Sequence, residues 1–260
     1  MNTQWWGKFE IPGETWCKWQ INQLSLYVWH TDVEWRFAWV REKEIVPETE
    51  AYRFQNEGIT LPEPADLEHA RFVIGGNQGE VELRLQLADR PMIARPEVPM
   101  FVPIGESATL FVSTGIWIQL VISDKVLLDI PVYRPSDTWF GQNTREGELC
   151  YFSLTRARTE RSLVTKDAHR ATTPITVINQ CDEMLRIERL RVPTPYLSLF
   201  VNEEGELLTD ALEYKLEKNR IESVVSIDSH ESIKAYRSLN RPREQGDHNF
   251  FTEAISKIFG

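Results

Sequence analysis

The chain has 260 residues, 42% of them apolar and 26% charged, with 39 acidic against 29 basic side chains and a net charge of −10. That is enough for one large or two small soluble domains, burying roughly 70–75% of the extended surface without staples. The acidic balance argues against a nucleic-acid partner, because no basic stripe is present and Arg237, Arg241 and Arg243 are diluted by Glu244 and Asp247.

Membrane insertion is not expected either, since no apolar run approaches the roughly 18 residues a spanning helix needs. The opening "MNTQWWGKFE" has no basic stretch followed by an apolar one, so no signal peptide is expected. Cys17, Cys150 and Cys181 are few and scattered, with no CxxC spacing. They suit a reduced, cytoplasmic protein that uses cysteine as a small apolar side chain, with a Cys150–Cys181 bridge as the other reading. No metal and no cofactor is expected.

Along the chain, Trp5, Trp6, Trp16, Trp19, Trp29, Trp35 and Trp39 crowd into forty residues. Such rings can stack on sugars, but Trp35 and Trp39 run in phase with Phe37, which is the pattern of a core face. In "WHTDVEW", His30, Asp32 and Glu34 would share one face of a strand and could hold a hard metal. The same stretch reads as the turn of a hairpin joining "LSLYVW" to "EWRFAWV", which would scatter them. Residues 41–70 are charged and Pro-broken, and read as a connection or a short helix. "GGNQGE" has the glycines of a phosphate loop without the Lys-Ser/Thr that would follow, so it reads as a hairpin loop.

Period-two alternation then dominates. "VELRLQL" sets Val81, Leu83, Leu85 and Leu87 against Glu82, Arg84 and Gln86. "ATLFVS", "IWIQLVI" and "KVLLDIPVY" are further strands, with turns at Gly75-Gly76-Asn77, Pro103-Ile104-Gly105 and Ser123-Asp124-Lys125. In "PITVINQCDEMLRIERLRV" the apolar phase slips between Leu185/Ile187 and Leu190/Val192, which reads as a β-bulge inside one strand. "YLSLFV" and "ALEYKLE", joined by "NEEGE", read as a hairpin, and "IESVVSI" as a strand after it. The end, "DHNFFTEAISKIFG", carries an i, i+4, i+8 apolar stripe through Phe250, Phe251, Ala254, Ile255, Ile258 and Phe259, and predicts an amphipathic helix.

The expected fold is therefore all-β: one or two β-sandwich domains, immunoglobulin-like or jelly-roll, plus a C-terminal helix. The boundaries read as residues 1–135, 136–246 and 247–260. Nucleophile chemistry has a poor basis. Cys150 and His169 are the nearest pairing, and Cys150 runs in phase with Phe152.

The stretch that best repays attention is "DTWFGQNTREGELCYFS", residues 137–153. A polar loop enters a strand there, and loops on rigid scaffolds are where sites are built. Trp139 and Phe140 could wall a pocket, Arg145 grip a carboxylate or phosphate, and Asn143 and Thr144 donate. Glu146 and Glu148 would face one side of a strand, as a two-carboxylate hydrolase requires. The competing reading has Arg145, Glu146 and Glu148 pairing among themselves as a structural tie.

Three stretches, "RPEVPMFVPIGESATLFVST", "FGQNTREGELCY" and "PITVINQCDEMLRIERLRVPTPYLSLF", resemble one family of prokaryotic proteins of unknown function. The likeness runs from the first Trp pair to about Tyr214. It implies a soluble, mainly β protein and carries over no catalytic residue. The expected function is a non-catalytic cytoplasmic binding or assembly module, with a protein partner or self-association and room for a small-molecule or sugar ligand. The second reading is a hydrolase or carbohydrate-active protein using Glu146 and Glu148.

Overall fold

A computed structural model describes residues 4–42, 52–62, 67–75, 79–141, 147–164, 167–217, 224–228 and 236–245. The chain forms two compact units, Met1–Gln86 with Trp117–Arg134, and Leu87–Ile116 with Pro135–Gly260. Residues 87–116 thus belong with the chain that follows Pro135. Among the described residues there is no α-helix, only strands and two single 3₁₀ turns, Arg161–Leu163 and Thr194–Tyr196. The predicted C-terminal helix over 247–260 lies outside the described residues, as do 43–51 and 63–66 of the 41–70 stretch, Gly76 and Asn77 of the glycine loop, and Ile221 to Ser223 of the last predicted strand. The described part of 41–70, expected as a connection or a short helix, instead contains the strand Tyr52–Gln55 and the start of the strand Glu68–Val73, which pair into one sheet with their neighbours.

The first unit begins with β1 (Gly7–Glu10), β2 (Cys17–Ile21), β3 (Leu24–His30), β4 (Glu34–Arg41), β5 (Tyr52–Gln55), β6 (Glu68–Val73) and β7 (Glu80–Gln86). The chain then enters the second unit with β8 (Met92–Pro96), β9 (Met100–Val102) and β10 (Ser107–Gly115). It returns to the first with β11 (Trp117–Ile122) and β12 (Lys125–Pro131). The first unit's sheets run β1-β7-β11-β12 and β5-β2-β3-β4-β6, antiparallel throughout.

Alternation explains the burial here. Val81, Leu83 and Leu85 of β7 are buried between more exposed polar neighbours. The turn after β11 places Ser123 and Asp124 at φ 45° and 63°, as a two-residue hairpin turn demands. Of the crowded tryptophans, Trp5, Trp19 and Trp35 are buried, while Trp6, Trp16, Trp29 and Trp39 are half-buried. Phe9 of β1 meets Trp19 of β2 edge to face, with centroids 5.2 Å apart, so an aromatic cluster joins the two sheets.

The second unit continues with β13 (Ser136–Phe140), β14 (Glu148–Ala157), β15 (Arg170–Asn179), β16 (Leu185–Ile187) and β17 (Leu190–Val192). It closes with β18 (Leu199–Val201), β19 (Leu207–Thr209), β20 (Ala211–Leu216), β21 (Val224–Asp228) and β22 (Arg237–Asn240). One sheet runs β13-β14-β8-β17, and a second runs β21-β20-β15-β19-β18-β22 with β10 also on β15. β14 lies parallel to β8, and β15 lies parallel to both β19 and β20.

Two sequence expectations need correcting. The phase slip after Ile187 is not a bulge in one strand. Leu185–Ile187 pairs with β9 and Leu190–Val192 pairs with β8, so the chain changes sheets there and each short strand buries its own apolar pair. Likewise β18 does pair across the "NEEGE" turn, but with the short β19, not with "ALEYKLE". That segment, β20, is parallel to β15. The chain breaks between β19 and β20 at buried Asp210, whose Oδ2 accepts the backbone N–H of Ser198 at 2.7 Å.

Candidate functional site

The β13–β14 hairpin holds the described part of the stretch singled out in the sequence. Its register sets Asp137 opposite Tyr151, Trp139 opposite Leu149, Thr138 opposite Cys150 and Phe140 opposite Glu148. Alternation therefore gives it two faces of different character. Asn143, Thr144, Arg145 and Glu146 lie outside the described residues.

The outer face carries Trp139 and Leu149, 40% and 41% exposed, as a cross-strand pair. Diagonal to Trp139 is Tyr151, whose hydroxyl donates to Asp89 Oδ1 at 3.0 Å. The Arg90 guanidinium stands 5.3 Å from the Tyr151 ring centroid and reaches Asp137 at 3.4 Å. Gly147 has a direct steric reason: a Cβ there would fall 1.8 Å from the Trp139 indole nitrogen. The indole occupies space that only glycine leaves open. β13 is also an edge of its sheet, paired on one side among the described residues.

The inner face is built around a buried ion pair. Arg191 of β17 donates through Nε to Glu148 Oε2 at 2.7 Å and through Nη2 to Oε1 at 2.9 Å. The fork is bidentate and charge-assisted, with the arginine side chain only 3% exposed and the carboxylate 33%. The Tyr214 hydroxyl donates to the Arg191 carbonyl oxygen. Burial alone would lower the Arg191 pKa, but the Glu148 carboxylate outweighs it and holds the guanidinium charged. Burial, reinforced by Glu148, pushes the Cys150 thiol up to about 12. Tyr196 is raised as well, by burial and by its bond to Glu244. Phe140 is buried beneath the hairpin, so of the two aromatics only Trp139 faces solvent substantially.

Sequence reasoning located Trp139 and Glu148 but missed Arg191. Leu190 and Val192 set the apolar phase and cast Arg191 as outward, yet all three residues of this strand are buried. The signal that could have found it was an acid, Glu148, in phase with apolar Cys150 and therefore in want of a cation.

The other constellations part in the fold. His30 Nε2 donates to the Ile11 carbonyl at 2.7 Å and its ring stacks on Trp35. Glu34 is held by Arg36 and Arg71, and Asp32 is exposed in the turn between β3 and β4. Among the described residues no group of three or more His, Cys, Asp or Glu converges to hold a metal. His169 is buried beside Asp167 and Arg170, whereas Cys150 sits with Glu148 and Arg191. Among the described residues no helix is long and apolar enough to cross a membrane.

No curated protein and no solved structure matches this chain significantly. A family model described as "Protein of unknown function (DUF432)" matches residues 5–258, reaching well past Tyr214, and the chain belongs to that family.

Proposed function

We propose that the chain is a non-catalytic binding or assembly module whose contact surface is the outer face of the β13–β14 hairpin. The observation that carries this reading is the solvent-facing Trp139–Leu149 pair on an edge strand, next to Tyr151. Exposed aromatic and aliphatic side chains on a rigid strand supply contact area at low entropic cost. The reading takes the sheets of each unit as sandwich layers. It places the protein in a reducing compartment, the cytoplasm, in keeping with three buried free cysteines.

The hydrolase reading is weaker because both Glu148 oxygens are engaged by Arg191. A carboxylate locked in a bidentate fork is a poor general acid, since protonating it breaks the pair. The deciding experiment compares the wild-type chain with a Trp139→Ala/Leu149→Ala variant by sedimentation velocity and by partner capture. Loss of self-association or of a specific partner, at an unchanged Tm, is expected. Unchanged association counts against the surface. A glycosidase activity abolished by Glu148→Gln at unchanged Tm would favour the hydrolase.

A further inference from the structure

We infer that the second unit carries a docking face for a basic segment of another protein. It is formed by the outward side of the β9–β16 ribbon and the two loops beside it, and centred on Phe101, Ile104 and Met184. The face shares no residue with the hairpin surface proposed above and stands without it.

The apolar centre is the first observation. Phe101, Ile104 and Met184 are each more than half exposed. Val102, Leu185 and Ile187 are buried on the other side of the ribbon, so alternation turns Phe101 outward. Phe101 pairs across with Arg186, whose guanidinium lies 6.0 Å from the ring centroid. Met184 precedes Arg186 by two residues and so stands diagonal to the ring. Ile104 takes the corner of a turn closed by the Glu106 N–H on the Pro103 carbonyl at 3.2 Å, with Gly105 at φ +76°. Single exposed apolar groups are ordinary, but three on adjoining elements form a patch.

The second observation is that one buried side chain fixes both loops. Asn179 is wholly withdrawn from water. Its Nδ2 donates to the Val102 and Glu183 carbonyls at 2.8 and 2.9 Å, and its Oδ1 accepts the Cys181 backbone N–H at 3.0 Å. Its backbone holds the same turn: the N–H donates to Glu106 O and the carbonyl accepts the Gly105 N–H, both at 2.9 Å. The loop of Ile104 and the loop of Met184 are thus locked to one residue, and a face ordered in advance loses little entropy on binding.

Charge decides the occupant. Residues 97–106 and 180–188 hold five carboxylates and one cation, Arg186. Arg158 pairs with Glu97, and Arg186 with Glu188 at 2.6 Å. Glu106, Asp182 and Glu183 are exposed around the apolar centre. A second copy of this chain, itself at net charge −10, would bring acid against acid, and an anionic membrane is repelled in the same way. A lysine- or arginine-rich segment with one or two large apolar side chains matches both features: its apolar groups pack against Phe101, Ile104 and Met184 while its cations meet the acidic rim.

The test is fluorescence anisotropy on the full chain with a labelled peptide that alternates lysine with leucine and phenylalanine. Two control peptides carry glutamate for lysine, or serine for leucine and phenylalanine. The first peptide is expected to bind roughly tenfold more tightly than either control. Phe101→Ser and Glu106→Lys should each weaken it several-fold, as loss of an anchor or of a rim charge does. Val126→Ser, an exposed apolar position in the first unit, should change nothing. Affinity for the first peptide weaker than about 1 mM overturns the proposal. So does equal binding of the glutamate peptide, or binding unaltered by Phe101→Ser at unchanged Tm. If Phe101→Ser lowers Tm, Ile104→Ser at the turn corner reads the same face, and unaltered binding there overturns the proposal too. Sedimentation velocity and flotation with phosphatidylglycerol vesicles cover the other occupants. A dimer dispersed by Phe101→Ser, or vesicle binding lost with it, assigns the face to self-association or to a membrane and overturns the reading.

Discussion

The Arg191 guanidinium grips the Glu148 carboxylate through two parallel hydrogen bonds, of 2.7 and 2.9 Å, with the arginine almost wholly withdrawn from water. This pair ties β17 to β14 across β8, which lies between them in the sheet. Removing one partner of a buried pair costs far more than the pair contributes, because the remaining charge keeps its desolvation penalty. Glu148→Ala is expected to lower stability by about 3 kcal/mol. The double replacement Glu148→Leu/Arg191→Met should cost less than the sum of its single changes. Urea denaturation of the four proteins checks both statements, and additivity would mean that the two side chains act independently.

His169 predicts a pH dependence. Burial, with the Arg170 charge beside it, pulls its pKa from 6.5 down to about 3. The unfolded chain binds a proton near pH 6.5, whereas the folded chain refuses it until about 3. The stability contributed by the neutral ring is thus complete above the upper value and is lost as pH falls toward the lower one. The slope approaches one proton, about 1.4 kcal/mol per pH unit. Between pH 6.5 and 5, above the carboxylate range, the wild-type Tm should fall with acidification, and His169→Phe should flatten that limb. A variant with the wild-type slope would show that the ring is protonated in the fold.

How much of this was legible in the sequence depends on the kind of contact. Val81, Leu83 and Leu85 announce a half-buried strand because alternation is a property of the strand itself. Arg191 announces nothing, because its burial is decided by Glu148, forty-three residues away in sequence. The slip between Ile187 and Leu190 has the same residue pattern whether a strand bulges or the chain changes sheets, and only pairing partners distinguish the two. The "YLSLFV" pairing failed for a related reason. β20 runs parallel to β15, and parallel neighbours are joined by no local turn that could be read from residue types. Trp139 was legible as an aromatic that could wall a pocket, but the reason for Gly147, the indole standing over it, was not.

The thiols should be inert in the folded protein. Burial raises Cys17 to about 11 and Cys150 to about 12, so the reactive thiolate is scarce at neutral pH. Cys181 is buried and its Sγ lies 3.2 Å from the Glu217 carbonyl, to which the thiol donates. Ellman's reagent at pH 8 is expected to react slowly with the native chain and rapidly with three thiols in denaturant. A fast native thiol would reveal a local opening at the strand that carries it.

A last prediction concerns two glycines that look alike in the sequence. Gly79 sits at φ +75°, and a Cβ there would meet His30 Nε2 and the Ile11 carbonyl oxygen, each at 3.0 Å. Those two atoms already bond to each other at 2.7 Å, and the Ile11 backbone N–H donates to the Gly79 carbonyl at the same distance. An alanine would impose a left-handed backbone on an L side chain and push against a closed hydrogen-bonded group that has no loose end to yield. Gly79→Ala is expected to cost about 2–3 kcal/mol. At Gly13 a Cβ meets nothing within 4 Å and φ lies outside the left-handed region. Gly13→Ala should therefore be neutral or slightly stabilising, by less than about 1 kcal/mol, since it narrows only the unfolded ensemble. Thermal denaturation of both variants reads the difference. If Gly79→Ala melts with the wild type, His30 is free to swing away from Ile11, and its role as a bridge from β3 to the residue following β1 falls with it.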